Sequence, residues 1–108
     1  MEAAVEQGNA EELADLIRKD PRFDVNQQNG GGWTLLYSAC TFGHDSVIPL
    51  LLAHPEIDVN LKENSGGGTP FMRACFYGHT SCVRLLLKDA RVKINEPNHI
   101  AGTALVGF

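Results

Sequence analysis

One run of residues occurs twice in this chain, offset by 35 positions, and this repetition limits the fold more than any other property. A glycine-histidine pair, a leucine triplet and a cysteine keep the same order and spacing in both copies. A sustained period of this size is typical of stacked repeats, in which each unit buries an apolar face against its neighbours. The matching residues are Gly43-His44 and Gly78-His79, Leu50-Leu51-Leu52 and Leu85-Leu86-Leu87, and Cys40 and Cys75.

Each unit predicts two helices. Thr34 and Thr69 are suited to begin the first helix, because a threonine hydroxyl can accept a hydrogen bond from a first-turn N–H. Gly43 and Gly78 are suited to end it. The leucine triplets supply the apolar stripe of the second helix. Pro49 falls early in the second helix of the middle unit, so we predict a late start or a bend there.

These units resemble the ankyrin repeat family, whose pattern includes T-P-L-H-x-A. The resemblance rests on Thr69-Pro70-Phe71-Met72-Arg73-Ala74 and on the equivalent stretch from Thr34 to Ala39, and it covers nearly the whole chain. It implies an all-α solenoid of antiparallel helix pairs joined by β-hairpin-like loops. Tyr37 and Met72 stand where the family has a histidine that ties neighbouring hairpins together.

The repeat boundaries predict a single domain over residues 1–108. Residues 1–32 form an N-terminal capping-type repeat, residues 33–67 and 68–101 form the second and third repeats, and residues 102–108 begin a fourth. A composition of 44% hydrophobic and 20% charged residues agrees with one globular domain.

Charge and hydropathy limit where in the cell this protein is expected and which classes of partner it is expected to bind. The net charge of −4 and the isoelectric point near 5.4 argue against broad nucleic-acid binding. The acidic opening lacks the apolar core of a signal peptide. Residues 47–53, the longest apolar run, are too few to span a bilayer. We therefore expect no nucleic-acid or membrane partner and a cytoplasmic protein, with the nucleus as the alternative location.

The cysteines and histidines invite a metal or redox interpretation. Three cysteines without secretory context do not indicate a disulfide framework. Cys40 and Cys75 are expected to be small buried residues; the alternative is a stacked metal or redox site that also uses His44 and His79. Zinc sites usually contain close pairs such as C-x-x-C, which this chain lacks. We therefore predict no metal and no cofactor, and the family resemblance implies a structural hydrogen bond for each glycine-histidine turn.

Catalytic motifs are equally weak. The run Gly30-Gly31-Gly32 resembles a phosphate-binding loop, but no Lys-Ser/Thr follows it, so turn glycines are the expected interpretation. No nucleophile and base stand at a diagnostic spacing. We expect a protein that is not an enzyme.

The family resemblance implies a protein-protein interaction scaffold that binds its partner through the concave side of the first helices and the loop tips. The aromatic residues among these positions are not required by the fold, and such clusters often form binding hot spots. For Phe42 and Phe76 the alternative is that they cover helix ends. The candidate partner-binding residues are Trp33, Thr41, Phe42, Phe76 and Tyr77, with Gln28, Lys62, His99 and Ile100 at the loop tips.

Two further expectations concern the ends of the repeats. The chain stops within the fourth unit, its first 24 residues are acidic, and residues 66–108 are basic. This predicts either a fragment of a longer array or self-association, head-to-tail or as a dimer, through Leu105, Val106 and Phe108. The family resemblance also implies hydroxylation of Asn60 and Asn95, each of which has a leucine eight residues earlier.

Overall fold

The computed structural model describes residues 9–20, 22–63 and 67–93, which contain five helices and no β-strand. The first helices of successive units, α2 and α4, make the most extensive contact, and the second helices α3 and α5 also touch. Two layers of helices therefore stack along the chain, and the predicted all-α solenoid is confirmed. The helices are α1 (Ala10–Lys19), α2 (Leu35–Phe42), α3 (Ile48–Leu52), α4 (Pro70–Phe76) and α5 (Thr80–Leu87).

The caps at the starts of the first helices are those the sequence predicts. The Thr34 hydroxyl accepts a hydrogen bond from the Tyr37 N–H at 3.2 Å. The Thr69 hydroxyl accepts one from the Met72 N–H at 3.3 Å. Each bond satisfies an N–H that would otherwise lack a partner at the helix start. Both predicted caps are confirmed.

Pro49 shortens the second helix of the middle unit. Helix α3 begins only at Ile48 and runs for five residues, whereas α5 in the next unit has eight. Proline is tolerated in the first turn because its missing N–H would have no helical partner there. The predicted late start is therefore confirmed.

Small and branched apolar side chains fill one core among the helices. Ala39 and Cys40 on α2 and Ala74 on α4 are fully or almost fully shielded from solvent, which lets the two helices approach closely. Ile57 and Val59 in the connection between units are also buried. The core is therefore continuous from one unit to the next.

Two asparagines at equivalent positions join each unit to the next. Asn26 donates from Nδ2 to the Glu56 carbonyl at 2.8 Å and accepts from the Asp58 N–H at 2.7 Å. Asn60 makes the same pair of bonds one unit later, to the Arg91 carbonyl at 2.7 Å and from the Lys93 N–H at 2.8 Å. We call these paired hydrogen bonds brackets. They give hydrogen-bond partners to backbone groups that, in the described part of the chain, belong to no β-sheet.

The loops between units are closed turns rather than paired strands. In the first loop, the Asn29 N–H donates to the Trp33 carbonyl at 3.0 Å. In the second, the Glu63 N–H donates to the Gly68 carbonyl at 2.9 Å. The described residues thus retain the hairpin-like course expected of these loops, and in the first loop the Gly32 N–H also donates to the Asn29 carbonyl at 2.9 Å.

Several predicted features lie outside the described residues. They include the first helix of the capping repeat, the tip of the second loop at 64–66 and the start of the fourth repeat. Self-association through Leu105, Val106 and Phe108 consequently stays a prediction. Within the described ranges, no helix is both long and apolar enough to cross a membrane.

Candidate protein-binding face

One side of the molecule carries a group of aromatic side chains from two repeats, which we call the aromatic face. It is built at equivalent ends of α2 and α4, because Phe42 is the last residue of α2, Phe76 is the last residue of α4, and Tyr77 caps α4. Trp33 lies just before α2. The stacking of the first helices places all four on neighbouring units, and Tyr37 and Arg73 complete the aromatic face.

The rings of the second repeat contact one another. The Trp33 ring centroid lies 4.8 Å from that of Tyr37 and 6.3 Å from that of Phe42. In the third repeat, Phe76 and Tyr77 meet edge to face at 5.0 Å. Both arrangements fall in the range that aromatic pairs prefer. The aromatic face therefore has two clusters, one in each repeat.

Arg73 connects the two clusters. Its guanidinium carbon lies 5.6 Å from the centre of the Tyr37 ring, 5.7 Å from that of Phe76 and 5.9 Å from that of Tyr77. Its Nε donates a hydrogen bond to the Tyr37 hydroxyl. Burial raises the pKa of Tyr37 despite this neighbouring cation, so the phenol is neutral at physiological pH. A cation thus lies among three aromatic rings.

Much of the aromatic face remains open to solvent. The exposed fractions are 46% for Phe42, 56% for Phe76 and 49% for Tyr77, whereas Trp33 is half-buried against its neighbours. Phe42 and Phe76 thus keep about half of their surface in water, even where they touch helix ends. Partly exposed rings of this kind retain apolar area for contact with another molecule.

Two other predicted partner-binding residues, Thr41 and Gln28, use polar groups within the fold. The Thr41 hydroxyl donates to the Tyr37 carbonyl at 2.8 Å, and the Thr41 carbonyl accepts from His79 Nε2 at 3.0 Å. Gln28 Nε2 donates to the carbonyls of Gly32 at 2.9 Å and Lys62 at 3.1 Å. Thr41 and Gln28 therefore hold the aromatic face and the loops in place.

Lys62 is exposed beside these loops. His99 and Ile100 lie outside the described residues. Their contribution to partner binding stays a prediction.

The described glycine-histidine turn of the third repeat is structural, as the resemblance implies. His79 reaches back to the preceding repeat, where it bonds to Thr41 and its ring lies against Gly43. His44 occupies the equivalent turn, and its backbone N–H donates to the Ala39 carbonyl at 2.9 Å. These histidines lie at joints between helices.

The three cysteines are free thiols buried in the core, which confirms the expectation for Cys40 and Cys75. Burial raises the pKa of Cys75 and of Cys82 to about 11 and that of Cys40 well above its usual value. Reactive thiols require the opposite shift, since the thiolate is the nucleophile and the metal ligand. Over the described ranges, no group of three or more His, Cys, Asp or Glu side chains is arranged to hold a metal.

Asn60, one of the two predicted hydroxylation sites, is half-buried and forms one of the brackets between units. Asn95 lies outside the described residues. Modification of either residue stays a prediction, which mass spectrometry after incubation with an asparaginyl hydroxylase would test.

Sequence reasoning missed Arg73, the residue at the centre of the aromatic face. Its position is three residues before Phe76 and four before Tyr77, a spacing that puts side chains on one side of a helix. That signal was readable from the sequence. Its contact with Tyr37 was not, because the two residues are 36 positions apart and meet only when the repeats stack.

Comparison with known proteins agrees with this architecture. The family model described as ankyrin repeats (three copies) matches residues 1–98. Human ankyrin repeat and SAM domain-containing protein 3 is 40% identical over 45 residues, which cover 42% of this chain and 7% of that protein. The chain therefore matches only a small part of that relative's length. With nearly all of its residues covered by the family model, the chain belongs to the ankyrin repeat family.

Proposed function

We propose that this chain binds a segment of another protein across the aromatic face. Ankyrin repeats generally mediate protein-protein interaction, and the family is typically non-catalytic. The observation that carries the proposal for this chain is the exposure of Phe42, Phe76 and Tyr77 on one face. Among the described residues, they are three of the four large apolar side chains that are exposed.

The physical argument concerns the free energy of binding. An aromatic side chain that is half in water can still bury apolar area when a partner covers it, at about 25 cal/mol for each Å². Its rigid ring loses little conformational entropy on binding, which is why aromatic residues are enriched among hot spots. Folding has already ordered these rings, because Phe42 lies against Trp33, while Phe76 and Tyr77 pack on each other and beside the Arg73 guanidinium. The aromatic face is thus pre-organised for a partner.

The test is selection of random peptides displayed on phage against the immobilised chain. We expect enriched peptides to bind the parent and to lose at least about tenfold in affinity to the double variant Phe76→Ala, Tyr77→Ala. Trp33 is the single tryptophan, so a change in its fluorescence on titration would report binding at this face.

The matched control is Leu87→Ala. Leu87 is the fourth exposed apolar side chain, but it lies at the end of α5 in the layer of second helices. Its removal should change affinity by less than about twofold, as expected for a residue outside the contact. Peptides that bind the Phe76→Ala, Tyr77→Ala variant as tightly as the parent, or a selection that enriches none, would contradict the proposal.

A further inference from the structure

The charge inside the aromatic face bears on the kind of segment that it binds. Arg18 and Arg91 each hydrogen-bond to a carboxylate, that of Asp15 and that of Asp89. Arg73 instead donates from Nε to the neutral phenol of Tyr37, and its guanidinium lies over three rings. A neutral hydroxyl leaves the positive charge of the guanidinium in place.

One acidic residue, Glu63, interacts electrostatically with the Arg73 guanidinium from within the fold. Glu63 is buried, with 4% of its surface exposed, and one of its carboxylate oxygens lies 3.5 Å from the Gly68 N–H, which donates to it. A partner on the outside cannot contact this carboxylate. Arg73 is only half-buried. Of these two charged groups, the Arg73 guanidinium is therefore the one that a partner can contact.

The surrounding rings increase the effect of that charge. Phe76 and Tyr77 exclude part of the water around the guanidinium, and a charge-charge contact is stronger where the local dielectric constant is lower. A side chain that packs on these rings therefore has Arg73 beside it. A guanidinium is also well shaped for a carboxylate, which can accept from two of its N–H groups at once.

We infer that the partner segment carries an aspartate or glutamate next to apolar residues, with its carboxylate on Arg73 and the apolar residues on Phe42, Phe76 and Tyr77. This inference rests on the proposed function of the aromatic face. It adds the chemical class of the ligand: an unmodified acidic peptide segment that is apolar on either side of the acid.

The same phage selection tests the inference. Enriched peptides should share an acidic residue flanked by apolar ones. For such a peptide, replacing the acid by its amide (Glu→Gln or Asp→Asn) should weaken binding to the parent by at least about tenfold. On the variant Arg73→Gln, the acid and amide peptides should bind with nearly equal affinity, because the charge that distinguishes them has been removed.

Arg84→Gln is the matched control. It removes the same charge from an exposed site on α5, so the net charge of the chain changes equally. The preference for the acid peptide should survive this change. If Arg84→Gln abolishes the preference as fully as Arg73→Gln does, the effect is one of overall charge and the inference is overturned.

The outcomes also separate this inference from the proposed function. Peptides that depend on Phe76 and Tyr77 but show no preference for the acid would overturn the inference and leave the proposed function standing. A selection without dependence on these rings overturns both. Because Arg73→Gln removes the bond to Tyr37, circular dichroism should verify its fold, and the acid-amide comparison on the unaltered chain decides the matter if that variant unfolds.

Discussion

At the scale of single residues, the buried thiols illustrate how packing alone changes a side chain's chemistry. Cys75 and Cys82 have 2% and 1% of their surface exposed, and the resulting loss of solvation raises the pKa of each to about 11. The thiolate is disfavoured in the core, whereas an unfolded thiol ionises near pH 9.0. Folding and thiol ionisation are therefore linked.

This linkage predicts a decrease in stability at alkaline pH. Each thiol's contribution to the free energy of unfolding is complete below pH 9 and is lost as the pH rises toward 11, by about 1 to 2 kcal/mol for each group. The free energy of unfolding of the parent, measured in urea, should therefore fall more steeply between pH 9 and 11 than that of the double variant Cys75→Ala, Cys82→Ala. Tyrosines and lysines titrate in both proteins, so equal slopes would contradict the prediction.

At the scale of elements, the end of α2 contacts the start of α5 at Gly43. Gly43 ends α2, and the ring of His79, the residue before α5, lies against it. Its φ of 74° lies in the left-handed region, which glycine adopts without strain. A Cβ at this position would lie 2.7 Å from His79 Nδ1, closer than side chains approach in practice. Gly78 has a similar φ of 69°, but a Cβ there would meet no atom within 4 Å in the described structure.

The two glycines therefore form a matched pair of substitutions. Gly78→Ala should lower the free energy of unfolding by about 1 kcal/mol through backbone strain alone. Gly43→Ala should cost about 1 to 2 kcal/mol more, because His79 must move and lose its bond to Thr41. Chemical denaturation of both variants measures the difference. Equal losses would mean that the contact between the repeats adds nothing at this joint.

At the scale of the whole molecule, the layers of helices share one core, so the units are expected to unfold together. Val83→Ala changes a buried residue of α5 and should cost about 2 kcal/mol. Trp33 lies before α2 in the preceding repeat, and its fluorescence reports on the unfolding of that repeat. For Val83→Ala, the shift of the urea midpoint seen by this fluorescence should equal the shift seen by far-UV circular dichroism for the whole chain. Ser81→Ala is an exposed change on the same helix and should move neither midpoint. If Val83→Ala shifts the midpoint by only one of the two methods, the units unfold independently.

The period, the threonine caps, the glycine turn at Gly43 and the late start of α3 beside Pro49 are all predictable from the amino-acid sequence alone. Each depends on residues close together in the chain, where hydrogen-bonding and steric rules act locally. Among the candidate binding residues, Gln28 and Thr41 illustrate the limit, because their side chains bond within the fold to atoms that their positions alone do not identify.

The sequence by itself therefore determined the helices, their order and the family, because repeated local patterns carry that information in every unit. Only the tertiary structure decided that Arg73 lies against Tyr37, that His79 closes on Thr41, and which rings stay in contact with water. These contacts join residues 36 and 38 positions apart. Their geometry depends on how closely two repeats stack, and that spacing is set by the packing of the entire core rather than by any one segment.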